Sequence, residues 1–196
     1  VCDTDALDSL PDRERRSGLG EMAKYHFLTG DDLLSLPLDE RIAACVRIKA
    51  AVVAADERED PAQRRGRAIL NYGHTLAHAL ENAGGYDLRH GEAVAVGLIY
   101  AAQLAWTLGR IDDARVEEHY RVLAEYGLSA TMPEGADVEA LLKLMGRDKK
   151  AVGGLTFVLD GPDGVEVVAG VDPEDAAAPL TRMIYEATRV RRAVGP

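Results

Sequence analysis

Three histidines in the middle of the sequence have the spacing of a site that binds a metal ion or a substrate. His74 and His78 are four residues apart, so on a helix both side chains project from one face. His90 follows shortly, and the glycine after it permits a close backbone approach. A single histidine at a helix end is more often a capping or core group, but a third imidazole near two others favours a metal ion. A zincin-type metalloprotease is a poor interpretation, because Thr75 stands where the general-base glutamate would follow the first histidine.

Charged side chains at helical spacing form a second group of candidates. Glu21 and Lys24 are three residues apart, just after two glycines that would let a ligand approach the backbone. The plain alternative is a surface ion pair, which contributes only about 0–1 kcal/mol. Lys49 and Arg67 lie on helical faces, where their aliphatic stems could simply cover apolar neighbours. Residues 148–150 end the helical part of the chain, where a charge cluster is usually just solvated.

The elements that must position these residues are mainly helical, with strong helix formers and helical apolar spacing up to about residue 144. The pattern predicts helices over residues 20–27, 37–53, 67–82, 92–108, 112–126, 137–145 and 172–192. Residues 56–65 are charged and contain Pro61, which predicts a loop. Residues 155–159 and 165–168 are apolar, rich in β-branched side chains and separated by a turn, which predicts one small β-hairpin. The expected fold class is therefore mainly α.

The composition, 196 residues with 47% hydrophobic side chains, is that of one globular unit. The formal charge of −10 is spread along the chain without a basic tract, which argues against nucleic acid and membrane surfaces as partners. The two cysteines are too few for a disulfide scaffold, so a reducing cytoplasm fits best. No membrane-spanning apolar run and no signal-peptide pattern occur. Residues 1–5 resemble the end of a strand entering a helix and lack an initiating Met, so we expect a fragment.

Five blocks, in order along the chain, resemble the signature blocks of the 3-dehydroquinate synthase family. They are residues 16–24 (RSGLGEMAK), 49–57 (KAAVVAADE), 70–81 (LNYGHTLAHALE), 90–94 (HGEAV) and 148–150 (DKK). The block around His74 is specific, and the joint occurrence of the blocks in one order makes a chance match improbable. The resemblance covers most of residues 3–150 and is weaker in the tail.

The resemblance implies a two-domain enzyme, of which residues 1–196 form the single helical metal- and substrate-binding domain and the N-terminal NAD-binding domain is absent. By the family's motif, Glu21, His74 and His90 are the ligands of one zinc or cobalt ion, a set typical of a catalytic metal site. The positions that match substrate-binding residues are Lys24, Lys49, Arg67, Asn71, His78 and Lys149. Among them the catalytic candidates are His78, Lys24 and Asn71. The cations suit a substrate that carries both a carboxylate and a phosphate.

The activity implied is the NAD- and metal-dependent conversion of 3-deoxy-D-arabino-heptulosonate 7-phosphate to 3-dehydroquinate and phosphate in the shikimate pathway. We expect the complete enzyme to be a homodimer. Three alternatives remain: a cyclase that makes inosose or valiolone rings, an iron- or zinc-dependent alcohol dehydrogenase-like domain, and a non-catalytic binding module. By the family's pattern, Asn71 and Lys149 favour dehydroquinate over the other rings. An alcohol dehydrogenase would be expected to use an aspartate and more histidines, without the lysine set.

One loop departs from the family pattern. Residues 58–65 are longer than the family's usual link, and Gln63 stands where an acidic residue normally precedes the arginine by four. Glu59 is the acid of this loop that could take its place.

Overall fold

The described part of the chain folds mainly into helices. The structure is a computed structural model that describes residues 2–147 and 154–194. Its α-helices are α1 (Asp12–Thr29), α2 (Leu38–Ala55), α3 (His74–Ala83), α4 (His90–Thr107), α5 (Asp113–Glu125), α6 (Val138–Arg147) and α7 (Pro173–Val194). Strands β1 (Leu155–Leu159) and β2 (Glu166–Val171) lie between α6 and α7, and short 3-10 helices cover Thr4–Ser9, Leu33–Ser35 and Arg67–Asn71. The predicted mainly α fold class with one hairpin is confirmed.

Helix α4 is the centre of the core. It is apolar on nearly all faces, a pattern that predicts a helix buried on most sides. Its side chains from Ala93 to Ala105 are buried, with Leu98 and Ile99 fully so. Helices α1, α3, α5 and α7 and strand β1 all pack against it. None of the helices in residues 2–147 and 154–194 is both long and apolar enough to cross a membrane.

Glycines allow two backbones to pass very close to α4. A β-carbon on Gly20 of α1 would overlap the carbonyl group of Gly91, and one on Gly91 would overlap the carbonyl group of Ser17. A β-carbon on Gly97, in the middle of α4, would overlap the carbonyl group of Gly73. The first crossing brings α1 against the start of α4, and the second brings the start of α3 against its middle. Three helices therefore meet within a small volume.

The helix predicted over residues 67–82 is interrupted. A 3-10 helix covers Arg67–Asn71, and Gly73 then adopts a left-handed conformation with φ 80° before α3 begins. An α-helix cannot continue through this conformation, which glycine adopts without strain. The break makes His74 the first residue of α3. The predicted C-terminal end of this helix is confirmed, since Gly84 ends it.

The N-terminal region also differs from the prediction. Helix α1 begins at Asp12, eight residues before the predicted start. Its first turns are charged and have no apolar period, but acidic residues at a helix start are favourable because of the helix dipole. The expectation that residues 1–5 end a strand is wrong for the described ones, because Thr4–Ser9 is a 3-10 helix capped by the Asp3 side chain.

The loop between α2 and α3 is held by one buried carboxylate and by the hairpin. Asp56 accepts hydrogen bonds from the backbone N–H groups of Asp60 and Arg67, at 2.9 and 2.8 Å. The Val167 N–H of β2 donates to the Arg64 carbonyl at 2.7 Å. The predicted loop is confirmed, and these bonds place it beside the hairpin.

Candidate functional site

Three predicted metal ligands converge where α1, α3 and α4 meet. Glu21 lies on α1, and His74 and His90 are the first residues of α3 and α4. The Glu21 Oε1 atom is 3.1 Å from His74 Nε2 and 3.0 Å from His90 Nε2. One ligand atom from each residue lies within 4.8 Å of the others. A carboxylate and two imidazoles at this spacing could hold one divalent ion.

The hydrogen bonds of the two imidazoles show which ring nitrogen carries the hydrogen. His74 Nδ1 lies 3.1 Å from the Tyr72 carbonyl oxygen, and His90 Nδ1 lies 3.0 Å from Glu81 Oε1. Both partners can only accept, so each Nδ1 carries the hydrogen. A neutral imidazole then presents its Nε2 lone pair to the Glu21 carboxylate, which is repulsive. Either protons on the rings or a metal ion among the three atoms would remove this repulsion, and the donor set fits a metal ion.

Lys24 fixes the other oxygen of the carboxylate. Its Nζ donates to Glu21 Oε2 at 2.8 Å, and the lysine side chain is only 4% exposed. Burial by itself raises the pKa of Glu21, but a protonated His74 ring, which would donate to the carboxylate, and the charge and hydrogen bond of Lys24 outweigh it and hold the pKa below its usual value. Glu21 is therefore ionised at neutral pH, with Oε1 free to face the imidazoles.

Ion pairs hold the start of α4, which carries His90. Arg13 of α1 contacts both carboxylate oxygens of Asp87, at 2.9 and 3.0 Å, and its Nη2 lies 2.8 Å from Glu92 Oε2. The same Glu92 oxygen accepts from the Arg89 N–H at 2.8 Å, at the first turn of α4. These contacts and the glycine crossing tie α1 to the first turn of α4, and so fix the distance between Glu21 and His90.

A cavity of about 1090 Å³ opens beside His74. Its polar wall carries Asn71, His74 and His78, and its apolar wall comes from α6 and the hairpin. Such a volume is slightly larger than that of typical small-molecule sites, which is about 300–1,000 Å³. Glu59 and Asp60 of the long loop also line it, and Glu59 has a left-handed φ of 54°, uncommon for a residue with a side chain. The sequence analysis identified Glu59 as the acid of this loop that could take the missing place, and Glu59 does line the cavity.

The structure brings some predicted substrate-binding residues to this cavity. His78 and Asn71 are exposed on its wall, and the ring centroid of His78 is 5.4 Å from that of His74. Lys49 is exposed on α2, and Arg67 donates to the Glu57 carbonyl at 3.2 Å. Lys24, Lys49 and Arg67 do not belong to the described cavity wall. Lys149 lies outside the described residues, and all these substrate roles stay predictions.

Sequence reasoning missed the groups that orient the ligands. Glu81, which accepts from His90, is seven residues after His74 and so lies on the same face of α3. That spacing could have found it. The Tyr72 carbonyl and the glycine crossings could not be found in this way, because they depend on the break before α3 and on the distance between helices.

Comparison with known proteins gives the family. The 3-dehydroquinate synthase C-terminal family model matches residues 18–151. A protein of Amycolatopsis mediterranei, provisionally named aminodehydroquinate synthase, is 50% identical over 183 residues, which are 93% of this chain and 51% of that protein. The 3-dehydroquinate synthase of Mycobacterium leprae is 40% identical over 189 residues, or 88% of this chain and 51% of that protein. The chain thus spans about half the length of these relatives.

A solved structure supports the fold. A 2-deoxy-scyllo-inosose synthase, crystallised with carbaglucose-6-phosphate, NAD⁺ and Co²⁺, superimposes with a TM-score of 0.76 at 24% identity. The match covers 92% of this chain and 54% of that one. The low identity limits this likeness to the fold, whereas the family model and the two relatives agree in sequence with the site-bearing part of the chain. The chain belongs to the 3-dehydroquinate synthase family and matches its C-terminal domain.

Proposed function

We propose that this chain is the metal- and substrate-binding half of a 3-dehydroquinate synthase, a cyclase that releases phosphate from a phosphorylated seven-carbon sugar acid. The observation that carries the proposal is the Glu21 carboxylate, which faces two imidazole Nε2 atoms at 3.0 and 3.1 Å beside a cavity. The family supports an enzyme of this kind. Cytoplasmic location stays the expectation from the sequence.

Glu21, His74 and His90 would hold one divalent ion, Zn²⁺ or Co²⁺. One carboxylate and two imidazoles leave coordination positions open for substrate oxygens, as catalytic metal sites do. A bound ion would act as a Lewis acid that polarises a substrate hydroxyl. The Co²⁺ of the solved inosose synthase supports the choice of ion.

The chain's own side chains would bind the substrate and move protons. The exposed His78 imidazole can accept or donate a proton at the cavity wall, and the Asn71 amide can bind a substrate hydroxyl. Lys24 keeps Glu21 ionised and oriented. In the proposal, Lys49, Arg67 and Lys149 bind the carboxylate and the phosphate. A hydrogen bond to such charged groups contributes about 1.5–3 kcal/mol.

The other half of the enzyme would bind most of the cofactor. The chain covers 51% of each of the two relatives, so the NAD-binding domain is proposed as a partner that completes the site. The described loops contain no glycine-rich turn after a strand that opens a helix, the usual cradle for a dinucleotide. The homodimer of the complete enzyme stays a prediction.

A second candidate is the amino form of the same reaction. The provisionally named aminodehydroquinate synthase is 50% identical, against 40% for the 3-dehydroquinate synthase of Mycobacterium leprae. The name indicates a product with an amino group on the same carbon skeleton. In this proposal both candidates would use the same metal, cofactor and release of phosphate, so only the choice of substrate would separate them.

The experiment joins the chain to the N-terminal half of the Mycobacterium leprae relative and measures phosphate release with NAD and Zn²⁺. We expect turnover of 3-deoxy-D-arabino-heptulosonate 7-phosphate or of its amino analogue, and the faster of the two identifies the reaction. Faster turnover of glucose 6-phosphate would favour an inosose-type cyclase instead.

A His78→Ala chimera is the matched control, because it removes an imidazole from the cavity and leaves the three proposed metal ligands in place. It should bind metal normally and release phosphate at least about 100-fold more slowly, the size of effect that general acid–base groups supply. A chimera that binds both NAD and metal but turns over no substrate would contradict an enzymatic function and favour a binding module.

A further inference from the structure

Tyr72 connects the proposed metal centre to the interior of the protein. Its backbone carbonyl accepts a hydrogen bond from His74 Nδ1 at 3.1 Å. Its side chain is fully buried, and the phenol oxygen lies 2.8 Å from Nε2 of His119. One residue thus contacts a proposed ligand through its backbone and a core histidine through its side chain.

His119 has a defined orientation and tautomer. Its Nδ1 lies 2.8 Å from the Arg115 carbonyl oxygen, which can only accept, so Nδ1 carries the hydrogen. Nε2 must then accept the proton of the Tyr72 hydroxyl. The Phe27 ring lies parallel to the imidazole, with ring centroids 3.8 Å apart and an interplanar angle of 2°. Burial lowers the pKa of His119 to about 4, so the ring stays neutral near neutral pH.

These contacts join the helices that carry the ligands. Phe27 belongs to α1, the helix of Glu21, and His119 belongs to α5. Tyr72 immediately precedes Gly73, which has no side chain to restrain the turn before α3. The backbone and the side chain of Tyr72 move together, so what holds the side chain also restrains the direction of the carbonyl. That carbonyl decides which nitrogen of His74 faces Glu21.

We propose that Tyr72 and His119 form a positioning pair, in which His119 holds the Tyr72 side chain so that the Tyr72 carbonyl orients His74 for metal binding. The inference rests on the proposed metal centre. Groups that hydrogen-bond to metal ligands commonly change metal affinity by about 10–100-fold when they are altered. The hydroxyl of Tyr72 does not contact His74 itself and acts only through the position of the Tyr72 carbonyl. We therefore expect a change at the lower end of this range.

The test uses the 196-residue chain and Co²⁺ alone, with binding followed by the visible absorption of the bound ion. Tyr72→Phe keeps the ring and removes the hydroxyl, and it should weaken Co²⁺ binding about tenfold and shift the absorption bands. Tyr100→Phe is the matched control, because Tyr100 is equally buried and its hydroxyl donates to the Ala176 carbonyl at 3.0 Å, away from the ligands. The control should be destabilised to a similar extent in urea and should bind Co²⁺ like the wild type.

A double variant separates positioning from stability. Tyr72→Phe alone leaves a buried nitrogen of His119 without its donor, whereas Tyr72→Phe with His119→Phe replaces both polar partners by apolar groups. The double variant should regain stability in urea over the single one while Co²⁺ affinity stays low.

Recovery of affinity together with stability would overturn the inference, because it would show a structural role only. Wild-type affinity in Tyr72→Phe, or an equal loss in Tyr100→Phe, would also overturn it and leave the metal centre standing. A wild-type chain that binds no Co²⁺ would remove the metal centre, and this inference with it.

Discussion

The imidazoles of the proposed metal centre, His74 and His90, resemble the buried imidazole of His119 at Nδ1 and differ from it at Nε2. In His74, His90 and His119, Nδ1 lies within hydrogen-bonding distance of an oxygen that can only accept. In the core, Nε2 of His119 receives the Tyr72 hydroxyl. In the proposed metal centre, both Nε2 atoms face one carboxylate oxygen. A histidine whose second nitrogen accepts from a donor has both nitrogens satisfied within the protein, whereas one whose second nitrogen faces an anion requires a positive charge there, either a second proton on the ring or a metal ion.

The largest expected effect is the loss of the metal ion when one imidazole of the centre is removed. The wild-type chain, purified without chelator, should carry about one ion, and His74→Ala should carry almost none, because a carboxylate and one imidazole hold a divalent ion weakly. Elemental analysis measures the metal content. His78→Ala is the matched control, since His78 lies one turn away on the same face of α3 and is not among the three converging residues. Equal metal content in the two variants would remove His74 from the ligand set.

The second effect is on acid stability and comes from the core imidazole. Burial lowers the pKa of His119 to about 4, below the ordinary histidine value of 6.5. Between these pH values the unfolded chain therefore binds the proton more readily than the folded chain does. The contribution of neutral His119 to the free energy of unfolding is complete above pH 6.5 and is lost as pH falls towards 4. The loss should be on the order of 3 kcal/mol. Urea unfolding at pH 7 and pH 4.5 measures it.

The matched variant for this effect is His119→Phe, which keeps an aromatic ring beside Phe27 and cannot titrate. Carboxylates with lowered pKa, such as Glu92 and Glu118, contribute to acid destabilisation in both proteins and cancel in the comparison. An equal loss of stability in both proteins would mean that His119 is not the titrating group.

The smallest effect concerns Glu81, which accepts from the partly exposed His90. The His90 side chain is 46% exposed, so water can replace the lost acceptor in Glu81→Ala. Metal affinity should fall by about tenfold at most. Glu125→Ala removes a similarly exposed carboxylate far from the centre, one that pairs with Arg121, and should leave the affinity unchanged. The comparison is made by Co²⁺ titration, and equal affinities would exclude Glu81 from the centre.

Much of this arrangement could be predicted from the sequence. The helical pattern located the elements, since apolar spacing is local information, and the apolar faces of α4 predicted its central position. The motifs around His74 and His90 named residues that do converge with Glu21. The helix predictions succeed because each depends on a short stretch of chain, whereas the grouping of Glu21 with the two histidines was implied by the family's motifs, and their role as metal ligands stays a prediction.

The remaining features depend on contacts between distant segments. The break before α3 requires the left-handed Gly73 beside Gly97, and these residues are 24 positions apart in the printed sequence. The burial and orientation of His119 depend on Tyr72 and Phe27, which lie on other elements. A pattern of residue types along one helix contains neither fact.

The glycine crossings limit how this site can be redesigned. A single methyl group at Gly20, Gly91 or Gly97 would meet a backbone carbonyl that cannot rotate away. A library intended to change substrate preference should therefore keep these three positions fixed. The hairpin wall of the cavity offers more freedom, because Thr156 and Val167 line the cavity and lie on neither of the glycine crossings. Directed evolution on that wall can alter the shape of the cavity without moving the helices that carry the proposed ligands.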